Sequence, residues 1–237
     1  MLKLMYNIMF RFFSKINKKI YFLWSYNNDA PIPEHLINNI TSIIKYNPGH
    51  SYHIIDKDEL DTIVHSSLYE NYKHCIQKCD FARYYILYNY GGVYMDTDIK
   101  IKKSLNALYL KYPNGKVFLC NECTLTDDEV SKITQENKIR CNVPEHNVRV
   151  ANYFIISINS YHPFWKEVFE LLYERFHLQV TSNYDIIYTT GPDIITTAYH
   201  NYISKNLKSD NSVILLGVDE CNQYFVHQAL GSWRNKY

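Results

Sequence analysis

The chain lacks any long hydrophobic run. Its apolar opening, MLKLMYNIMFRFF, is interrupted by Lys3 and Arg11 and is far too short to span a bilayer. It shows no convincing export signal, so reduced thiols and a cytoplasmic location are the expectation. No charge of either sign is in excess. The 237 residues hold 25 Lys and Arg against 24 Asp and Glu, which argues against nucleic acid as a main partner. There is no internal repeat and no low-complexity linker. A Gly- and Lys/Arg-rich phosphate loop is also missing, which argues against a nucleotidyltransferase that consumes nucleoside triphosphates. Six cysteines are present, but Cys120-x-x-Cys123 with Cys141 and His146 has no second CxxC at zinc-site spacing.

What is present suits one α/β domain over residues 18–237, behind an amphipathic segment at 1–17. That segment, followed by Lys18 and Lys19, reads either as a frayed end or as a weak contact with an anionic membrane surface. Aromatic residues are plentiful, with 23 Tyr, 11 Phe and 3 Trp, and most are expected in the core and at its rim. Apolar runs alternate with helical patterns, the signature of a layered α/β architecture. Strands are expected at 20–24, 50–55, 93–95, 117–119, 153–156 and 213–216. Helices are expected at 33–46, 58–68, 76–89, 163–176 and 193–203, the last started by Gly191-Pro192. The stretch 121–148 is polar with little periodicity and reads as an excursion, either a lid or an acceptor-facing loop.

The most informative stretch is CDFARYYILYNYGGVYMDTD, residues 79–98. It reads as a helix, a Gly91-Gly92 stop, a short strand and two aspartates one residue apart. On a strand, residues i and i+2 share a face, so Asp96 and Asp98 are expected to aim at one point. Two carboxylates on one spot suit Mg²⁺ or Mn²⁺, with open positions for substrate phosphates. The bland alternative is a solvated Asp-Thr-Asp turn. Asp80 and Arg83 share a helix face. They form either a surface ion pair or a pair facing the cleft, where Arg83 would bind a sugar hydroxyl or phosphate and Asp80 a sugar hydroxyl. Trp24 ends the first strand as a rim aromatic or as a platform for a nucleobase. Thr190-Gly191-Pro192-Asp193 is a plain helix entry or brings backbone and Asp193 to a ligand. At the far end, His227 is a candidate third metal ligand, and Ser232 and Trp233 are candidate donors to phosphate oxygens.

These motifs together resemble glycosyltransferase family 32, whose members carry a DXD sugar-binding region. The matching blocks are IYFLWS at 20–25, residues 79–98, ANYFIIS at 151–157, TTGPDIIT at 189–196 and HQALGSW at 227–233, in the family's order. The resemblance implies a GT-A fold: a Rossmann-like sheet flanked by helices, with the DxD at the carboxyl end of a central strand. It implies a retaining glycosyltransferase that moves a hexose from a UDP- or GDP-sugar to a glycan, glycoprotein or glycolipid hydroxyl. Asp98 and His227 would hold Mn²⁺ or Mg²⁺, and Asp96 would contact the ribose or a metal-bound water. Asp80, Arg83, Tyr94 and Gly191 would bind the donor, Trp24 its base, and Ser232 and Trp233 its diphosphate. Asn152 and Asp193 would lie near the transferred sugar. Cys79 stands where the family usually has Ser, a small change. A nucleotide-sugar-binding protein without catalysis is the alternative; it would require damage to Asp96, Asp98 or His227, and all three are present.

Overall fold

A computed structural model describes residues 17–24, 30–136, 146–206 and 210–231. The segment 1–16, Cys141, Ser232 and Trp233 lie outside the described residues. In chain order the elements are β1 (Lys19–Leu23), α1 (Glu34–Tyr46), β2 (Ser51–Ile55), α2 (Lys57–Ile63), α3 (Ser67–Asn71) and α4 (Cys75–Tyr90). Then follow β3 (Gly92–Met95), β4 (Ile99–Ile101), α5 (Asn106–Lys111), β5 (Val117–Thr124), α6 (Asp127–Glu136), β6 (Val148–Val150) and β7 (Phe154–Ser157). The chain ends with α7 (Phe164–Arg175), α8 (Asn183–Thr189), α9 (Pro192–Asn206), β8 (Val213–Leu216), α10 (Val218–Tyr224) and β9 (Phe225–His227).

Seven strands form one mixed sheet in the order β2-β1-β3-β7-β5-β6, with β8 also paired to β5. β1 runs parallel to β2 and β3, and β8 runs parallel to β5. β7 lies antiparallel to both β3 and β5, so β3 and β5 point the same way. The carboxyl ends of β1, β3 and β5 therefore share one edge of the sheet, where ligands of open α/β sheets bind. Because β7 is reversed, its amino end and the preceding Asn152 and Tyr153 reach that edge too.

Strand alternation splits the core between the two faces. Tyr21, Leu23, Tyr94, Leu119 and Ile155 pack with α4, α7 and α9. Ile20, Phe22, Val93, Met95, Phe118, Phe154 and Ile156 pack on the other face with α1, α5 and α10. Helices on both faces explain why β1 and β3 read as continuous apolar runs.

The expected elements recur with end shifts of a residue or a few. Three expectations need correction. The helix expected at 58–68 is two helices, α2 and α3, separated at 64–66. The excursion at 121–148 contains α6, which Thr126 and Glu129 cap reciprocally: Thr126 N–H donates to Glu129 Oε2 at 2.8 Å and Glu129 N–H donates to Thr126 Oγ1 at 3.3 Å. That capping box is a local signal that outweighs the weak periodicity. Finally, strand alternation does not align Asp96 and Asp98. β3 ends at Met95, and a turn closed by Ile99 N–H donating to the Asp96 carbonyl at 3.2 Å carries both aspartates into β4.

Gly91 and Gly92 make the step from α4 into β3. Both have positive φ, +64° and +105°, and a Cβ on Gly92 would sit 2.6 Å from the Lys19 carbonyl oxygen. Gly49 also has positive φ, +88°, but faces open space. Gly49→Ala is expected to cost only the backbone penalty of about 1 kcal/mol, and Gly92→Ala at least about 2 kcal/mol more, because backbone must move. Urea denaturation of the two variants checks this; equal losses would contradict it.

Candidate active site

The site is built on α4. This helix lies against the sheet with almost every side chain covered, and it carries Asp80 and Arg83 inward at 3% and 4% exposure. They are therefore the cleft-facing pair and not a surface pair. Arg83 Nη2 donates to Asp80 Oδ1 at 2.9 Å, while Nη1 reaches Asp96 Oδ1 at 3.3 Å and the Asn152 carbonyl at 2.9 Å. The guanidinium lies over the Tyr94 ring, 4.6 Å from its centroid. Tyr94 in turn donates its hydroxyl to Asp96 Oδ1 at 2.5 Å. Asp80 is held further by Asn152 Nδ2 at 3.0 Å and by the Thr190 hydroxyl at 3.2 Å. Gly191 accepts from the Tyr84 hydroxyl at 3.2 Å, which fixes the α8–α9 corner against α4.

Burial pushes Asp80 up to about 6, although the Arg83 charge and its hydrogen bonds pull the other way. Burial also raises Asp96, against the pull of Arg83 and Tyr94. Arg83 Nε is buried and has no hydrogen-bond partner among the described residues.

Asp98 sits on the other side of the turn. The two-stranded pairing of β4 with β9 sets Ile99 opposite His227 and so brings His227 to the aspartates. His227 Nε2 lies 3.2 Å from Asp98 Oδ1, and Leu230 N–H donates to Asp98 Oδ2 at 3.1 Å. Ala229, with φ +50°, makes the bend that aims that N–H. The His227 ring stacks on Tyr153 at 3.9 Å. Asn39 Nδ2 ties the turn to the C-terminal stretch, donating to the Thr97 carbonyl at 3.2 Å and to Gln228 Oε1 at 2.8 Å. Burial alone would raise Asp98, but the His227 imidazole facing it and the Leu230 N–H outweigh it and leave Asp98 low. The same pairing raises His227 in spite of burial.

Asp96, Asp98 and His227 each present a ligand atom within 4.8 Å of the others. Asp98 Oδ1 is buried and makes no well-aligned hydrogen bond among the described residues. Two hard carboxylates with one imidazole fit Mn²⁺ or Mg²⁺. Among the described residues this is the sole such cluster, and Cys120, Cys123 and His146 belong to none.

The cluster opens into a cavity of about 560 Å³ that Trp24, Asp80, Arg83, Tyr94, Asn152 and Gly191 also line. The expected donor-binding residues thus converge, Ser232 and Trp233 falling outside the described residues. Trp24 donates Nε1–H to the Ala30 carbonyl at 2.7 Å. Asp193 is buried at the start of α9 and pairs with Arg149; it does not itself line the cavity, whereas Arg149 does. Tyr153 and Asn39 were not legible as site residues. Asn152-Tyr153, next to a strand and within ANYFIIS, is the one local hint for the first; the second is a helix residue with no local mark.

The sheet, with this site at its carboxyl edge, has the GT-A fold. The chain superposes on the solved PaToxG glycosyltransferase with a TM-score of 0.54 at 17% identity, covering 88% of this chain and 79% of that one. Residues 33–114 match the family model of the glycosyltransferase sugar-binding region containing a DXD motif. Among curated relatives, inositol phosphoceramide mannosyltransferase 1 of Schizosaccharomyces pombe is 35% identical over 106 residues, 41% of this chain and 32% of that protein. A mannosyl phosphorylinositol ceramide synthase of Saccharomyces cerevisiae is 29% identical over 147 residues, 56% of this chain and 33% of that protein. The match thus spans about a third of the length of these relatives.

Removing Arg83 leaves Asp80 buried and unpaired. Arg83→Met is expected to lower stability by roughly 3–5 kcal/mol, and the Asp80→Asn/Arg83→Met pair by clearly less. Urea denaturation measures both; a double variant as unstable as the single one would contradict the pairing.

Proposed function

We propose that the protein is a metal-dependent, retaining glycosyltransferase that moves a hexose from a nucleotide-sugar donor to an acceptor hydroxyl. The observation that carries this reading is the Asp96–Asp98–His227 cluster opening onto the cavity at the sheet's carboxyl edge. The names of the curated relatives favour mannose as the sugar, hence a GDP-mannose donor, and a lipid-linked acceptor headgroup. Glycan and glycoprotein acceptors fit the same chemistry. Among the described residues no helix is long and apolar enough to cross a membrane.

Asp96, Asp98 and His227 would hold the Mn²⁺ or Mg²⁺, which supplies positive charge to the departing nucleoside diphosphate. The chain's own residues do the rest. Arg83 and Asp80 hold the donor sugar, and Trp24 offers a flat face to the base. Asn152, whose amide is locked on Asp80 and the Tyr84 hydroxyl, keeps that carboxylate turned to the sugar. In the transfer, the bond from the anomeric carbon to the diphosphate oxygen breaks. A bond from the same carbon to the acceptor oxygen forms on the same face. The acceptor proton passes to the leaving diphosphate. This front-side course asks no side chain to form a bond to the sugar.

A donor screen with Mn²⁺ tests the reading: GDP-mannose, UDP-glucose, UDP-galactose and UDP-N-acetylglucosamine, with diphosphate release followed with and without EDTA. Release from one donor, lost with EDTA and in Asp98→Ala, is expected. Full turnover in Asp98→Ala would remove the metal assignment. Mn²⁺ binding without any release would favour the non-catalytic binding protein.

A proton and the metal compete for His227. Because Asp98 raises the pKa of His227, Mn²⁺ affinity is expected to fall as pH drops, about tenfold per unit once pH lies below that pKa. Calorimetric titration between pH 8 and pH 6 reads this directly. The slope should flatten in His227→Ala; a pH-independent wild-type affinity would exclude His227 as a ligand.

A further inference from the structure

β5 changes character at its end. Residues Val117 to Cys120 are fully buried, and Asn121 to Thr124 emerge beside β6. The pairing there is irregular: Asn121 stands opposite Val150, and Cys123 opposite Arg149. Two steps along β5 match one along β6, so Glu122 is the extra residue of a bulge. On a regular strand, Glu122 and Cys123 would face opposite sides of the sheet. Here both line the cavity that contains Asp96, Asp98 and His227. Bulges re-aim side chains next to functional sites, and this one aims a carboxylate.

Glu122 has no hydrogen bond or ion pair among the described residues, and Arg149 beside it is paired with Asp193. Glu122 lines the same cavity as Asp98, His227 and Tyr153. It is nevertheless not part of the metal cluster. A carboxylate at this wall would repel the anionic diphosphate of a donor. It accepts hydrogen bonds from neutral hydroxyls, two of them side by side where a ring offers a diol.

We propose that Glu122 positions the acceptor: the β5 bulge turns its carboxylate toward the reacting centre, where it accepts hydrogen bonds from ring hydroxyls next to the attacking one. This rests on the glycosyltransferase reading of the site. A free carboxylate at the cavity mouth needs no structural partner, and its substitution should leave the fold intact.

Glu122→Ala and Glu122→Gln in the full chain test it, with GDP-mannose, Mn²⁺ and two acceptor probes, inositol phosphoceramide in detergent micelles and methyl α-mannoside. Acceptor KM should rise tenfold or more in Glu122→Ala and less in Glu122→Gln, whose amide oxygen still accepts a hydrogen bond. The ratio of donor hydrolysis to transfer should rise in parallel. Donor KM, Mn²⁺ affinity and melting temperature should not move. An unchanged acceptor KM in Glu122→Ala, with wild-type transfer intact, would overturn this inference alone. A loss of Mn²⁺ affinity in its place would make Glu122 a metal-site residue and overturn it equally. A wild type that binds Mn²⁺ but turns over no donor would overturn the glycosyltransferase reading, and this inference with it.

Discussion

A guanidinium buried to 4% exposure has to be neutralised, and the way this chain neutralises Arg83 arranges the site. One carboxylate comes from its own helix, Asp80. A second, Asp96, comes from the end of β3, and a carbonyl comes from the start of β7. Three separate segments are thereby pinned to one side chain. The planar fork of Arg can do this and a lysine cannot. Tyr94 and Asn152 complete the network, so that Asp96 enters the turn with one oxygen already engaged and its orientation set.

The second half of the site depends on a pairing across the whole chain. Three residues of β4 and three of β9 form a small separate sheet, and its register sets His227 beside Asp98. Lys100 and Val226 stand exposed opposite one another, while Ile99 and Ile101 face the core. The stability of this pairing comes from Phe225, buried against Phe154 and Tyr153, and from Asn39 clamping Thr97 to Gln228. The mutual shifts of Asp98 and His227 record how close this brings them. On the proposed reading a divalent cation would take the place of a proton on His227, and metal affinity would then depend on pH.

Much of this was legible in the chain itself. The block at 79–98 carries its own grammar, a helix, a Gly91-Gly92 stop and a short apolar strand, whereas the choice between surface and cleft for Asp80 and Arg83 came only from their burial. Parallel neighbours and helices on both faces make β1 and β3 plain apolar runs, and these were readable as well. The reason for the convergence of Asp96 and Asp98 was not, because alternation along a strand and a turn after it look alike over three residues. β4 and β9 were missed because each is three residues long and owes its strand form to long-range pairing, and α5, β6, α8 and α10 because each is too short to show a clear period. The bulge at Glu122 is a matter of register between strands that lie far apart in sequence. No residue type announces it.

Manganese bound to the protein offers the most direct test of this site. Electron–nuclear double resonance on the Mn²⁺ complex should show one directly coordinated nitrogen, absent in His227→Ala, and should gain phosphorus coupling when GDP or UDP is added. A spectrum with water protons alone, unchanged by His227→Ala and by either diphosphate, would contradict the Asp96–Asp98–His227 centre and the account built on it.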